Sequence, residues 1–163
     1  MVNVKEYLLL CGLRIEETEK HANDKGFQFE REIFHRIKKE KQLQKGYIYG
    51  GIKLFRGDSE KINDNEIDVI WTDENQLFVG ECKLSLSNPL VSAADYLDQI
   101  MYKLAAISKD FGVQVNPYIF TKHKFTPKTF NESRMKAINK RLKILGIRGL
   151  LSEKDFKKQN LEI

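Results

Sequence analysis

The spacing of apolar positions along this chain changes several times, and each change marks an element. Residues 4–18 (VKEYLLLCGLRIEET) suit a short helix, and HANDKG (21–26) then reads as a break with turn chemistry. In GFQFEREIFHRIKKEKQL (26–43), Phe27, Ile33, Phe34 and Ile37 recur on one helical stripe. YIYGGIKLF (47–55) reads as a strand, bent or bulged at Gly50-Gly51, and RGDSEKINDN as a polar loop. Two strands, 66–72 and 76–83, meet at Asp73-Glu74-Asn75. A long helix over 88–112, a strand over 115–122, a basic amphipathic helix over 129–146 and a short strand in IRGLL complete the pattern. Three consecutive strands favour a mixed sheet with antiparallel members, and the later helices suggest crossovers that cover it. The expected organisation is an N-terminal helical extension (1–25) followed by one α/β domain (26–163).

The 163 residues suffice for one domain with a real core. No window approaches the ~18 apolar residues of a membrane span, and acids close behind a short apolar stretch argue against a secretory signal. Two cysteines, Cys11 and Cys82, make no disulfide framework, so a reducing cytoplasm is expected. Charge is unevenly divided. Residues 1–100 hold 14 Lys/Arg and 18 Asp/Glu, a net of −4; residues 101–163 hold 14 and 5, a net of +9. A polyanionic partner near an acidic, metal-loaded centre fits that division, and so does a solvated basic surface with no partner.

The chemistry concentrates in EIDVIWTDENQLFVGECK (66–83). Residues two apart on a strand share a face, so Glu66 pairs in direction with Asp68, and Glu81 with Lys83. With Glu74-Asn75 as the hairpin tip, opposed residue numbers sum to 149, placing Asp68 against Glu81 and Glu66 against Lys83. Opposed side chains have Cβ atoms ~4.5–5.5 Å apart, where like charges destabilise. A divalent cation offsets Asp68 against Glu81, because Mg²⁺ takes carboxylate oxygens and keeps several waters. Lys83 could then orient or deprotonate a metal-bound water, or neutralise charge on a scissile phosphate. An exposed sheet face with ordinary ion pairs explains Glu66 and Lys83 but leaves Asp68 and Glu81 unexplained. On the first long helix, Glu30 falls within the apolar stripe, where a carboxylate is costly unless paired or metal-linked; a place at the stripe's edge, or a buried lysine, would also accommodate it.

Glu30 on a first helix, then Asp68, then Glu81-x-Lys83, resembles the PD-(D/E)xK nuclease superfamily, with its restriction-endonuclease-like αβββαβ core. GFQFE, NEIDVIWT and FVGECKLS resemble, more closely, the C-terminal nuclease domain of CRISPR-associated ancillary nucleases, which carry an N-terminal sensor domain for cyclic oligoadenylate. The resemblance implies a metal-dependent endonuclease acting on DNA or RNA in prokaryotic antiviral defence. It implies that Asp68, Glu81, the main-chain carbonyl of Cys82 and Glu30 surround Mg²⁺ or Mn²⁺, and that Lys83 assists catalysis. Glu66 matches the acidic position of the Glu-hydrophobic-Asp triplet. The helix after the active-site strand can contribute in such proteins, which makes Gln99, Tyr102 and Lys103 candidates by position. Related nucleases often act as homodimers. A sensor domain does not fit within 163 residues, so the chain is expected to be either one domain of a longer protein or a stand-alone nuclease.

The crowded basic helix and its surroundings supply candidate phosphate contacts: Lys103, Lys122, Lys124, Arg134, Lys140 and Arg141. His21, His35 and His123 show no ligand spacing. Cys82 is expected in the core on the opposite sheet face from its neighbours. The competing reading is a catalytically inactive nucleic-acid-binding module on a nuclease fold.

Overall fold

The computed structural model describes residues 2–18, 24–56, 60–61, 66–86, 90, 92–111, 114–122, 130–156, 158 and 163. In chain order the elements are α1 (Val4–Leu10), β1 (Leu13–Glu17), α2 (Lys25–Glu40), β2 (Ile48–Arg56), β3 (Glu60–Lys61), β4 (Ile67–Asp73), β5 (Gln76–Lys83), α3 (Ala93–Asp110), β6 (Val115–Thr121), α4 (Glu132–Ile144), β7 (Gly149–Leu151) and α5 (Glu153–Phe156). The expected αβββαβ core is α2, β2, β4, β5, α3 and β6. The helical expectation for residues 4–18 holds only as far as Leu10. Leu13–Glu17 is instead a strand, antiparallel to β2 from Leu13↔Arg56 to Glu17↔Ile52. Burial of Leu13 against the sheet and the ladder with β2 override a weak helical pattern broken at Gly12. The polar segment after Arg56 contributes the two-residue β3.

The seven-stranded sheet has the order β1-β2-β4-β5-β6-β7, with β3 also on β2. It is antiparallel from β1 to β5 and parallel from β5 through β7. The β4–β5 hairpin turns at Glu74 and Asn75, both at positive φ (48° and 61°) as a two-residue primed turn needs. Asn75 tolerates that conformation best among non-glycine residues. Its register, from Asp73↔Gln76 to Val69↔Gly80, sums to 149 as expected.

Caps define where the helices start. Asp24 accepts from the Gly26 and Phe27 amides, Ser92 from Asp95 and Asn131 from Arg134. Two apolar layers flank the sheet. One joins Val4 and Leu8 of α1, Leu97, Met101 and Leu104 of α3, and Ile138 and Leu142 of α4 to Ile70, Val79 and Ile119. The other packs Phe29, Ile33 and Ile37 of α2 on Val69, Trp71, Phe78, Tyr118 and Phe120. Its aromatic rings form a layer: Trp71 and Phe78 stack at 5.2 Å, and Tyr118 and Phe120 at 5.9 Å.

Gly80 makes that layer possible. A Cβ there would lie 2.5 Å from Phe120 and 2.7 Å from Val69, both buried and unable to yield. Gly80→Ala is therefore expected to lower stability by about 1–3 kcal/mol through overpacking. Gly149→Ala, whose Cβ would meet Tyr118 at an ordinary 3.6 Å, should stay within about 0.5 kcal/mol. Urea titrations of the two variants measure the difference; equal midpoints would refute the packing argument.

Candidate active site

The alternation of sides along β4 slips at Asp68. Ile70 and Ile67 both join the layer under α3, whereas Val69 and Trp71 face α2. The β2–β4 ladder has the same discontinuity, with partners at Gly50↔Val69 and Ile52↔Ile67 and none for Gly51 and Asp68 between them. Gly51 adopts φ 60°, a conformation open to glycine at little cost. Its carbonyl accepts from the Thr18 amide at 2.8 Å and the Thr18 hydroxyl at 2.9 Å. The distortion expected at Gly50-Gly51 thus lies directly across from Asp68.

On the other side of β4, the ladder to β5 has its last pair at Val69↔Gly80. Beyond that pair the Asp68 carboxylate fills the fork, accepting from the Cys82 amide at 2.8 Å. Asp68 is 7% exposed and Glu81 2%. Asp68 and Glu81 are therefore not a regular cross-strand pair, unlike the arrangement that the hairpin register alone suggested. Past the last ladder pair, one acid takes a backbone amide while the other meets cations.

Those cations are two lysines. Lys103 of α3 donates to Glu81 Oε1 at 2.9 Å, and Lys83 lies 3.4 Å from the same oxygen. Burial alone would lower the Lys83 pKa. The negative charges of Glu81 and Asp68, together with Tyr96, outweigh it and hold the ammonium above its ordinary value. These neighbours favour the ammonium form of Lys83, which suits it to balancing negative charge.

Three carboxylates converge beside this ion cluster. Oxygens of Glu30, Glu66 and Asp68 lie within 4.8 Å of one another. Glu30 comes from the first half of α2, and Glu66 immediately precedes β4. Like charges so close repel one another, and a divalent cation offsets that repulsion. The donors are all hard carboxylate oxygens, the set that Mg²⁺ or Mn²⁺ favours, so the residues fit the implied metal.

Of the residues singled out from sequence, the structure brings Glu30, Glu66 and Asp68 into one group and Glu81, Lys83 and Lys103 into the next. Glu66 is more central than its place in a triplet suggested. Glu30 does not lie on the fully buried stripe. That stripe is Phe29, Ile33 and Ile37, and Glu30 is half-buried at its edge. The Cys82 side chain is buried on the α2 side, as expected of a core residue. Gln99 is exposed.

The candidate phosphate contacts are more scattered. Lys103 is turned inward to Glu81. Lys122 reaches Glu32 at 3.2 Å, and Arg141 bonds to Tyr102 at 2.8 Å and lies 3.4 Å from Asp98. Arg134 and Lys140 are exposed on α4. Lys124, His21 and His123 lie outside the described residues, and His35 is exposed with its ring edge-on to Phe34. No helix among the described residues is long and apolar enough to cross a membrane.

Comparison with known proteins adds to this geometry. No curated protein matches the sequence. The fold is similar to that of protein VC1899 from Vibrio cholerae, at 17% identity and a TM-score of 0.58, over 88% of this chain and 36% of that one. It is also similar to Can2 from Sulfobacillus thermosulfidooxidans, solved in complex with cyclic tetra-adenylate. Identity there is 13% and the TM-score 0.59, over 93% of this chain and 57% of Can2. At such identities the likeness concerns fold, and the chain spans only about a third and somewhat over half of those two proteins. The family described as "Card1-like, endonuclease domain" matches residues 16–160. That span takes in both carboxylate-bearing strands, α2 with Glu30 and α3 with Lys103, and on this match the chain belongs to the Card1-like endonuclease domain family.

Proposed function

We propose that this chain is a metal-dependent endonuclease that hydrolyses phosphodiester bonds in DNA or RNA, and that it serves CRISPR-linked defence. The observation that carries the reading is the convergence of Glu30, Glu66 and Asp68 within 4.8 Å, in a chain of an endonuclease family. These three side chains would hold the cation. Glu81, one strand away and held by two ammonium groups, is the further carboxylate that can join them, as the PD-(D/E)xK resemblance implies, together with the Cys82 carbonyl. When bound, the metal supplies Lewis acidity and a lowered pKa for its water.

The remaining work falls to the chain itself. The Cys82 amide fixes the direction of the Asp68 carboxylate. Lys83 places a positive charge beside the acids, where it balances charge developing on a scissile phosphate. Lys103 holds Glu81 by donating to the carboxylate oxygen that Lys83 also approaches. Where the chain forms part of a longer protein, a cyclic-oligoadenylate sensor is the regulatory partner we propose.

Cleavage of labelled DNA and RNA oligonucleotides with Mg²⁺ or Mn²⁺ tests the activity. Asp68→Asn retains an acceptor for the Cys82 amide and so should fold, yet lose at least about 100-fold in rate. Asp68→Asn cleaving at the wild-type rate would remove Asp68 from the chemistry. Calorimetric Mn²⁺ titration separates the ligands: Glu66→Gln should weaken binding if the converging triad holds the ion. An effect of Glu81→Gln with none of Glu66→Gln would instead favour the Asp68–Glu81 set implied by the sequence resemblance.

Lys103→Met leaves buried Glu81 with only Lys83 as its lysine partner. A stability loss of about 1–3 kcal/mol is expected, because the pair is partly solvent-screened on the lysine side. Thermal melting measures it, and an unchanged melting curve would show that the Lys103–Glu81 contact contributes nothing.

A further inference from the structure

Helix α2 carries two stripes, and only one of them is core. Phe29, Ile33 and Ile37, four residues apart, are buried against the sheet. Phe27, Glu30, Arg31, Phe34 and Lys38 form the neighbouring stripe at spacings of three and four. This second stripe lines a cleft of ≈ 230 Å³ between α2 and β2, together with Lys45 and Gly50. The two phenylalanines are only partly buried there, although the nearby core positions Phe29 and Ile33 are filled by apolar side chains. Each ring faces a cation: the Arg31 guanidinium lies 5.7 Å from the Phe27 centroid, and the Lys38 ammonium 6.0 Å from that of Phe34.

The cleft carries charges of both signs, with Glu17 of β1 and Arg31 of α2 also in its lining. Glu30, shared with the carboxylate cluster, stands towards the α2 N-terminus. Lys38 is eight residues on, roughly 12 Å of helical rise, with exposed Lys45 also on the wall. The floor is open because Gly50 has no side chain. A Cβ there would already touch Phe34 at 3.4 Å, and the nearest backbone is the Asp68 carbonyl at 3.8 Å. Aromatic faces suit a flat heterocycle, and flanking lysines suit its phosphate. The volume, below the ~300–1,000 Å³ of drug-sized pockets, fits one base and not several.

We propose that this cleft is a nucleotide subsite: one base of the nucleic-acid substrate, taken out of its stack, rests on Phe34 and Phe27. Its phosphate is met by Lys38 and Lys45, and the adjoining phosphodiester is thereby directed towards Glu30 and Asp68. The proposal rests on the nuclease reading for the identity of its ligand. It assigns a place to the substrate that the carboxylate cluster alone does not.

The test is equilibrium binding of a short oligonucleotide carrying 2-aminopurine, measured by fluorescence in EDTA so that no turnover occurs. Wild-type protein should bind and raise the probe's emission, because 2-aminopurine brightens when its base leaves the neighbouring bases. Phe34→Leu keeps apolar bulk but removes the ring; it should weaken binding about 5- to 150-fold and abolish the rise in emission. Lys38→Glu with Lys45→Glu, both exposed, should weaken binding about tenfold or more and flatten its salt dependence. Leu10→Ala, exposed on α1 and outside the cleft lining, should leave the rise in emission unchanged.

Absence of oligonucleotide binding by wild-type protein, or unchanged binding and emission in both cleft variants, overturns the subsite. The nuclease reading fails separately. An emission rise that depends on Phe34 and the two lysines, with no cleavage in any divalent metal, supports the subsite and defeats the nuclease. Metal-dependent cleavage that is indifferent to both cleft variants does the reverse.

Discussion

Everything at this site depends on one hydrogen bond, from the Cys82 amide to the Asp68 carboxylate, at the point where β4 and β5 part. A continuous antiparallel ladder would have spent that amide on a carbonyl and aligned Asp68 against Glu81. Ending the ladder at Val69↔Gly80 instead gives the buried amide a charged acceptor, a charge-assisted bond stronger than a neutral one. The same fork frees Glu81 to meet lysines from its own strand and from α3. Glycine at position 51 permits the matching distortion in β2, and Thr18 of the adjoining chain segment anchors it.

The two faces of the sheet then divide the tasks. The aromatic layer under α2 is rigid, since Gly80 admits Phe120 and Val69 at a distance no other residue allows. On that layer α2 is held by Phe29, Ile33 and Ile37, which leaves its neighbouring stripe to bring Glu30 to the carboxylates and two phenylalanines to the cleft. On the opposite face α3 is packed through Leu97, Met101 and Leu104, and this delivers Lys103 to Glu81. Acid comes from one side and compensating cation from the other. Their meeting place is the split edge between β4 and β5.

Much of this was legible in the residues. The αβββαβ order, the turn at Glu74-Asn75 and its register follow from local pattern and turn chemistry, because a two-residue primed turn leaves little choice of pairing. The irregularity at Gly50-Gly51 was legible too, since glycine doublets in strands have few other uses. Less legible were β1, whose five residues gain strand structure only from pairing with β2, and the inward turn of Lys103, which on α3 resembles any other lysine of a basic half.

The sequence by itself determined which residue types were available, and which strands and helices carry them: these are set by side-chain periodicity and by contacts a few residues long. Which carboxylates meet was decided only in three dimensions. Glu30 and Asp68 are 38 positions apart, and the end of the β4–β5 ladder, the distortion at Gly51 and the seating of α2 together put them beside Glu66. Pairing rules assume a regular ladder, and the site lies where the ladder stops.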